Sequence, residues 1–216
     1  MSKELGVGII GCGNISTAYF SLAPLFKGLK ILACADINAD AAKLRAEEFG
    51  VKAQTIPELL ANDELDVIVN LTIPAAHFTV SKAILEAGKH VYSEKPLTVT
   101  LEEGKELQAL AKAKGLAVGC APDTFLGGAH QLARQFIDEG GVGRITSGTC
   151  HVMSPGMEMW HPNPGFFFLN GGGPILDLGP YYIANLINFL GPVKRVAALT
   201  SMANPFRTIT SEPLKG

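Results

Sequence analysis

The chain lacks most of what would tie it to a membrane, a nucleic acid or an oxidising compartment. No uninterrupted apolar run reaches the ~18 residues of a spanning helix. The first ten residues, MSKELGVGII, lack a signal-peptide layout, because their apolar run leads straight into a glycine motif. Charged residues make up 18% of the chain and the formal net charge is −2, so there is no overall pull toward nucleic acid or an anionic surface. There is no basic stripe. The four cysteines, Cys12, Cys34, Cys120 and Cys150, contain no Cys-x-x-Cys pair, and scattered free thiols fit the cytoplasm. The histidines (His77, His90, His130, His151, His161) have no ligand-like spacing, so no metal is expected. No Gly-x-Ser-x-Gly nucleophile motif, internal repeat or low-complexity segment occurs.

What the chain does have is a core. Its 216 residues are 47% hydrophobic, enough for one large domain or two small ones. The most informative stretch is residues 5–16, LGVGIIGCGNIS, where an apolar run breaks into Gly11-Cys12-Gly13-Asn14-Ile15-Ser16. Asp36 follows 25 residues after Gly11. This is the layout of a dinucleotide-binding strand, turn and helix. The first glycine permits the tight turn, and the second lets backbone N–H groups approach a pyrophosphate. Ser16 stands at the third glycine position and is small enough for close helix–strand packing. An ordinary β–α turn is the alternative reading of the two glycines.

Up to Cys120 strand and helix signals alternate. Strands are expected at Gly6–Ile10, Lys30–Asp36, Val51–Gln54, Asp66–Leu71, His90–Tyr92 and Leu116–Cys120. Helices are expected at Ile15–Phe26, Ala39–Phe49 (capped by Asn38 and stopped at Gly50), Pro57–Ala61, Ala75–Ala87 and from the Thr100/Glu103 capping box to Lys114. Repeated βα units of this length predict a doubly wound parallel sheet covered on both faces. Beyond Cys120 the pattern changes. A helix is expected at Phe125–Glu139, strands at Arg144–Met153 and Val193–Met202, and one helix at Pro174–Leu190. The stretch between residues 154 and 174 is dense in proline, glycine and aromatics, which favours an ordered functional loop over disorder. Residues 203–216 carry no clear pattern. The expected domains are residues 1–122 and 123–216.

Three motifs in order resemble the Gfo/Idh/MocA oxidoreductases: Gly11-Cys12-Gly13-Asn14-Ile15-Ser16, Glu94-Lys95-Pro96, and Gly171-Gly172-Gly173 followed by Asp177 and Gly179. The resemblance covers essentially the whole chain. Residues 121–127 and Trp160-His161-Pro162 look like a MocA-type branch. The family implies an N-terminal NAD(P)-binding Rossmann domain. It also implies a C-terminal α/β domain whose open mixed sheet builds the substrate pocket and often an oligomer interface. Its usual chemistry is reversible hydride transfer between a nicotinamide cofactor and a hydroxyl carbon of a sugar, inositol or related polyol. Family members run well beyond 216 residues, so a partial second domain is expected, with a homo-oligomer if its sheet is complete.

Individual residues can then be assigned. Asp36 is placed to accept hydrogen bonds from ribose hydroxyls, and Ile37 and Asn38 beside it offer no cation to a 2′-phosphate, which favours NAD over NADP. The alternative is a strand-end acid that caps the next turn. Thr72 and Pro74 follow a strand end and so face the cofactor side; by resemblance His77, in Pro74-x-x-His77, lies there too, against a satisfied helix-start histidine. By resemblance, Glu94 and Lys95 lie at the nicotinamide end. Lys95 can take the hydroxyl proton or hold the developing alkoxide, where composition alone would read a solvated lysine paired with Glu94. Asp177 orients the substrate by resemblance, against a plain helix-start acid. Tyr181 stands where the family commonly has histidine, and a phenol with an ordinary pKa of about 10 is a poor base. His161 is a substrate-side candidate, against a structural loop role, and Asp123 and Trp160 are weaker ones. Two rivals to the dehydrogenase remain: a non-catalytic NAD-binding sensor of the same fold, and an inactive truncated form. A small-molecule substrate, no nucleic acid and no membrane are the expected partners.

Overall fold

The computed structural model describes residues 4–202 and 204–216. The chain forms two compact units, Met1–Ala121 and Pro122–Gly216.

The first unit alternates strand and helix: β1 (Leu5–Ile10), α1 (Ser16–Leu22), β2 (Leu29–Ala35), α2 (Ala39–Phe49), β3 (Lys52–Ala53), α3 (Ile56–Leu60), β4 (Val67–Asn70), α4 (Pro74–Glu86), β5 (His90–Ser93), α5 (Leu101–Lys114) and β6 (Val118–Cys120). The strands form one sheet in the order β3-β2-β1-β4-β5-β6, and every pairing is parallel. Local signals set the helix limits. Asn38 accepts from the N–H groups of Asp40 and Ala41 to start α2, and Gly50 ends it with φ +67°. Thr100 and Glu103 form a reciprocal capping box at α5. The expected Ile15–Phe26 helix is shorter, with α1 passing into a 3-10 turn at Ala23–Leu25.

The sheet carries a core on each face, because successive strand side chains point to opposite sides. Val7, Ile9, Cys34 and Val69 pack with Phe20, Ala42 and Ala46 of α1 and α2. Ile10, Ala33, Ala35, Ile68 and Val91 pack with Leu59, Ile84, Leu85 and Leu107 of α3, α4 and α5. Phe20 stacks on Phe49 at 4.8 Å.

The second unit is helical and irregular. A 3-10 turn at Thr124–Leu126 leads to α6 (Gly128–Asp138), further 3-10 turns at Met157–Met159 and Gly165–Phe168, then α7 (Gly173–Asp177) and α8 (Gly179–Leu190). Three expectations are corrected here. Residues 144–153 and 193–202 are not strands, so the expected open mixed sheet is not formed among the described residues. Their alternating pattern prepares a half-buried face, but a strand also needs a neighbour to take its N–H and C=O groups, and alternation does not supply one. The expected single helix Pro174–Leu190 is two helices broken at Leu178. Pro180 has no N–H to give and disfavours helical backbone before it, so it serves as a helix start instead.

Candidate functional site

Strand register gathers the site. Ile10 pairs with Ala35 on one side and Asn70 on the other, Asn70 pairs with Ser93, and Ser93 with Cys120. The residues just past these ends, Gly11, Asp36, Leu71 and Glu94, therefore emerge along one edge. After β1 the chain winds to one side of the sheet, and from β4 to the other. Such a switch point opens a crevice beyond the carboxyl ends of the strands, where ligands of this architecture bind.

Gly11 and Gly13 differ in what they do. Gly11 has φ +102°, and a Cβ there would lie 2.6 Å from the Leu71 carbonyl. Its N–H donates to the Ala35 carbonyl at 2.9 Å. Gly13 is exposed, and a Cβ there would meet nothing within 4 Å. Its bare backbone faces open space beside exposed Asn14 and Ile15. Ser16 is buried, and its hydroxyl donates to the Gly13 carbonyl at 2.6 Å, which pins the loop to the start of α1.

Asp36 is half-buried at the end of β2. One carboxylate oxygen accepts from the Cys12 N–H at 2.7 Å, the other from the Asn38 N–H at 2.8 Å. The carboxylate thus ties the glycine loop to the turn before α2, with lone pairs left over. The buried Cys12 thiol is pushed far up from its ordinary pKa by its hydrogen bond with Cys34 and by burial.

A polar knot closes β4. Asn70 is fully buried and uses all of its amide. It donates to the His77 carbonyl and the Ser81 hydroxyl, both at 3.0 Å, and accepts from the N–H of Thr72 at 3.2 Å and its hydroxyl at 2.7 Å. Half-buried Pro74 begins α4. His77 is 1% exposed, with Nδ1 2.6 Å from the Pro96 carbonyl and Nε2 2.9 Å from the Thr72 carbonyl. A buried ring with both nitrogens engaged offers no polar atom to a cofactor, which differs from the expectation for this residue.

Lys95 is half-buried just past β5, and its peptide bond to Pro96 is cis. Its N–H donates to one Glu94 carboxylate oxygen at 3.0 Å. The other accepts from the Tyr19 hydroxyl of α1 at 2.9 Å. Glu94 thus joins the helix after the glycine loop to the loop carrying Lys95.

The remaining candidates belong to the second unit. Asp177 ends α7, and Tyr181 lies in the first turn of α8, with Leu178 between the two helices. Trp160 is 62% exposed and edge-on to His161 at 5.5 Å. His161 also meets the rings of Phe166 and Phe167, and its Nδ1 accepts from the Asn163 N–H. Asp123 is exposed before the Thr124–Leu126 turn. The aromatic stretch is tied down. Glu158 pairs with Arg207, its carbonyl accepts from the N–H groups of Thr210 and Ser211, and the Ser211 hydroxyl donates to the His161 carbonyl. Sequence reasoning missed Asn70, Tyr19 and Glu158. The signal for Asn70 was an amide closing the apolar run DVIVN. Tyr19 and Glu158 had none, because their partners lie 75 and 49 residues away.

No helix among the described residues is long and apolar enough to cross a membrane. No cluster of three metal-ligating side chains occurs among them.

Two family profiles match the chain. The one described as "Oxidoreductase family, NAD-binding Rossmann fold" covers residues 5–121, and the "GFO/IDH/MocA C-terminal domain" covers residues 130–211. The chain belongs to the Gfo/Idh/MocA oxidoreductase family, and its first unit is that family's NAD(P)-binding Rossmann domain. Among relatives, it is 32% identical over 208 residues to the uncharacterized oxidoreductase YdgJ of Escherichia coli, covering 94% of this chain and 58% of that protein. It is 28% identical over 230 residues to levoglucosan dehydrogenase of Pseudarthrobacter phenanthrenivorans, covering 97% and 57%. Among solved structures it is similar to KijD10, a 3-ketoreductase of Actinomadura kijaniata in complex with TDP-benzene and NADP, with TM-score 0.70, 28% identity and coverage of 88% and 57%. The chain thus spans a little over half the length of these relatives.

Proposed function

We propose that this chain belongs to an NAD(P)-dependent oxidoreductase that moves a hydride between nicotinamide and a hydroxyl carbon of a sugar, inositol or related polyol. One observation carries the reading. The glycine loop, Asp36, Thr72 and Lys95 all follow strand ends in register on one edge of a parallel sheet at its switch point. The residues fit a dinucleotide. Open space over Gly13 leaves room for a pyrophosphate, and the spare lone pairs of Asp36 suit ribose hydroxyls. The names of relatives, a levoglucosan dehydrogenase and a 3-ketoreductase, point to sugar-like substrates.

Each residue has a role in this reading. Gly11 fixes the turn, and Gly13, Asn14 and Ile15 border the pyrophosphate. Thr72 and Pro74 line the crevice. When bound, the nicotinamide supplies the hydride acceptor. Lys95 takes the substrate's hydroxyl proton or holds the developing alkoxide, and Glu94 holds the Lys95 main chain. Asp177, Tyr181, Trp160 and His161 contact the substrate. Asp36, with no cation at Ile37 or Asn38, favours NAD, while the similar KijD10 is in complex with NADP. The unpaired cysteines fit a reducing compartment.

Fluorescence titration with NADH and NADPH tests the reading. Saturable NADH binding, tighter than NADPH and weakened in Asp36→Ala, is expected, with a melting curve of the variant as control. Turnover on a sugar and polyol panel, lost in Lys95→Ala, is the second expectation. Binding of neither nucleotide by folded protein sinks the proposal.

A further inference from the structure

We infer that His77 is a positioning residue: its buried ring ties the Pro96 carbonyl to the Thr72 carbonyl and so fixes the loop that carries Lys95. The inference rests on the reading of Lys95 as a nicotinamide-side residue.

His77 sits in the first turn of α4. Its ring is sealed from solvent and lies between two main-chain carbonyls, 2.6 Å from one and 2.9 Å from the other. Its own carbonyl is held by the Asn70 amide. A carbonyl only accepts, and a neutral imidazole donates from one nitrogen alone. A neutral ring would therefore turn one lone pair toward a carbonyl oxygen. Whichever nitrogen donates, the ring holds one of the two carbonyls by a hydrogen bond and packs against the other. The two carbonyls belong to the two loops that border the crevice. Thr72 follows β4, and Pro96 follows Lys95.

The main chain of Lys95 is thus held from both sides. Before it, the Glu94 carboxylate takes the Lys95 N–H and the Tyr19 hydroxyl. After it, His77 holds Pro96. A lysine that must meet a reacting oxygen tolerates a misplacement of only about 0.5 Å, so a tie through its neighbour bears on its function without touching a ligand.

Two ligands separate positioning from general support. ADP-ribose carries the adenosine, pyrophosphate and second ribose but no nicotinamide, whereas NADH reaches the Lys95 end. The full chain, His77→Gln, Lys95→Ala and the double variant are titrated with both by calorimetry. Positioning predicts ADP-ribose affinity within about twofold of the unsubstituted chain, and NADH weakened about tenfold in His77→Gln, roughly 1.4 kcal/mol. It also predicts little further loss when His77→Gln is added to Lys95→Ala. Equal weakening of both ligands, or a full additional loss in the double variant, overturns the inference and leaves the dinucleotide reading standing. Binding of neither ligand by the folded unsubstituted chain removes that reading, and this one with it. Should His77→Gln not fold, His77→Asn is titrated in its place. The same comparison of ADP-ribose with NADH then decides, with the outcomes read as for His77→Gln.

Discussion

Single residues at the sheet edge carry constraints that differ in kind. Gly11 is required by the backbone, with φ +102° and the Leu71 carbonyl where a side chain would begin. Gly11→Val is expected to cost more than about 3 kcal/mol in chemical denaturation, well above an ordinary surface change. A loss under about 1 kcal/mol would show that the turn relaxes. The thiols differ in the same local way. Cys12 is buried and held far above its ordinary pKa by Cys34 and burial, and Cys120 is pushed up to about 12 by burial, with Glu94 adding to it. Cys34 is buried too, and Cys150 is exposed. Titration of the native protein with a chromogenic disulfide should therefore show one fast thiol, Cys150, and three that wait on unfolding. Three or more fast equivalents would contradict the packing around β1 and β2, because Cys12 or Cys34 would then have to react. Gly11 and Asp36 were legible as candidates because each sits at a break in an apolar run, whereas Lys95 was a candidate only through the resemblance carried by Glu94-Lys95-Pro96. Tyr19 was not, since a half-buried tyrosine on a helix carries no mark of a partner in another element.

Elements were legible where their ends are written in local chemistry. Asn38 and Gly50 bracket α2, and Thr100, Glu103 and Gly115 bracket α5, all within the segments they limit. Thr100→Ala removes the acceptor for the Glu103 N–H and should lower stability by about 1 kcal/mol. Urea denaturation checks this, and an unchanged midpoint would mean that packing of Leu107 and Ala111 alone holds α5. Elements were illegible where their existence depends on something distant. The alternation in residues 144–153 and 193–202 describes a face, while strand formation needs a paired backbone. The break at Leu178 is written in Gly179-Pro180, because a proline starts a helix more readily than it continues one.

At the scale of the molecule, the two units rest on different physics. The first buries an aliphatic core on both faces of its sheet. In the second, the aromatic stretch is held by Glu158 and its partners. Burial opposes the Glu158 charge, but its backbone hydrogen bond and the Arg207 guanidinium hold the carboxyl below its usual range. A depressed carboxyl contributes stability above its unfolded pKa, and loses that contribution as pH falls through the folded value. Emission from Trp160, the single tryptophan, should therefore stay constant through neutral pH and change on acidification below the ordinary carboxylate range. In Arg207→Ala the change should move to higher pH. An identical titration in both proteins would place the ordering of this stretch elsewhere.

The two backbone amides held by Asp36 have a practical meaning for redesign. The usual route to a phosphorylated adenosine ribose removes such an acid and adds a cation. In this chain the acid also anchors Cys12 and Asn38. On the proposed reading of Asp36, selectivity for the nucleotide and integrity of the loop beneath it fall to one side chain. Exchanging the preference here requires a substituted loop that satisfies both amides by another acceptor, and single replacements of Asp36 should lose one nucleotide without gaining the other.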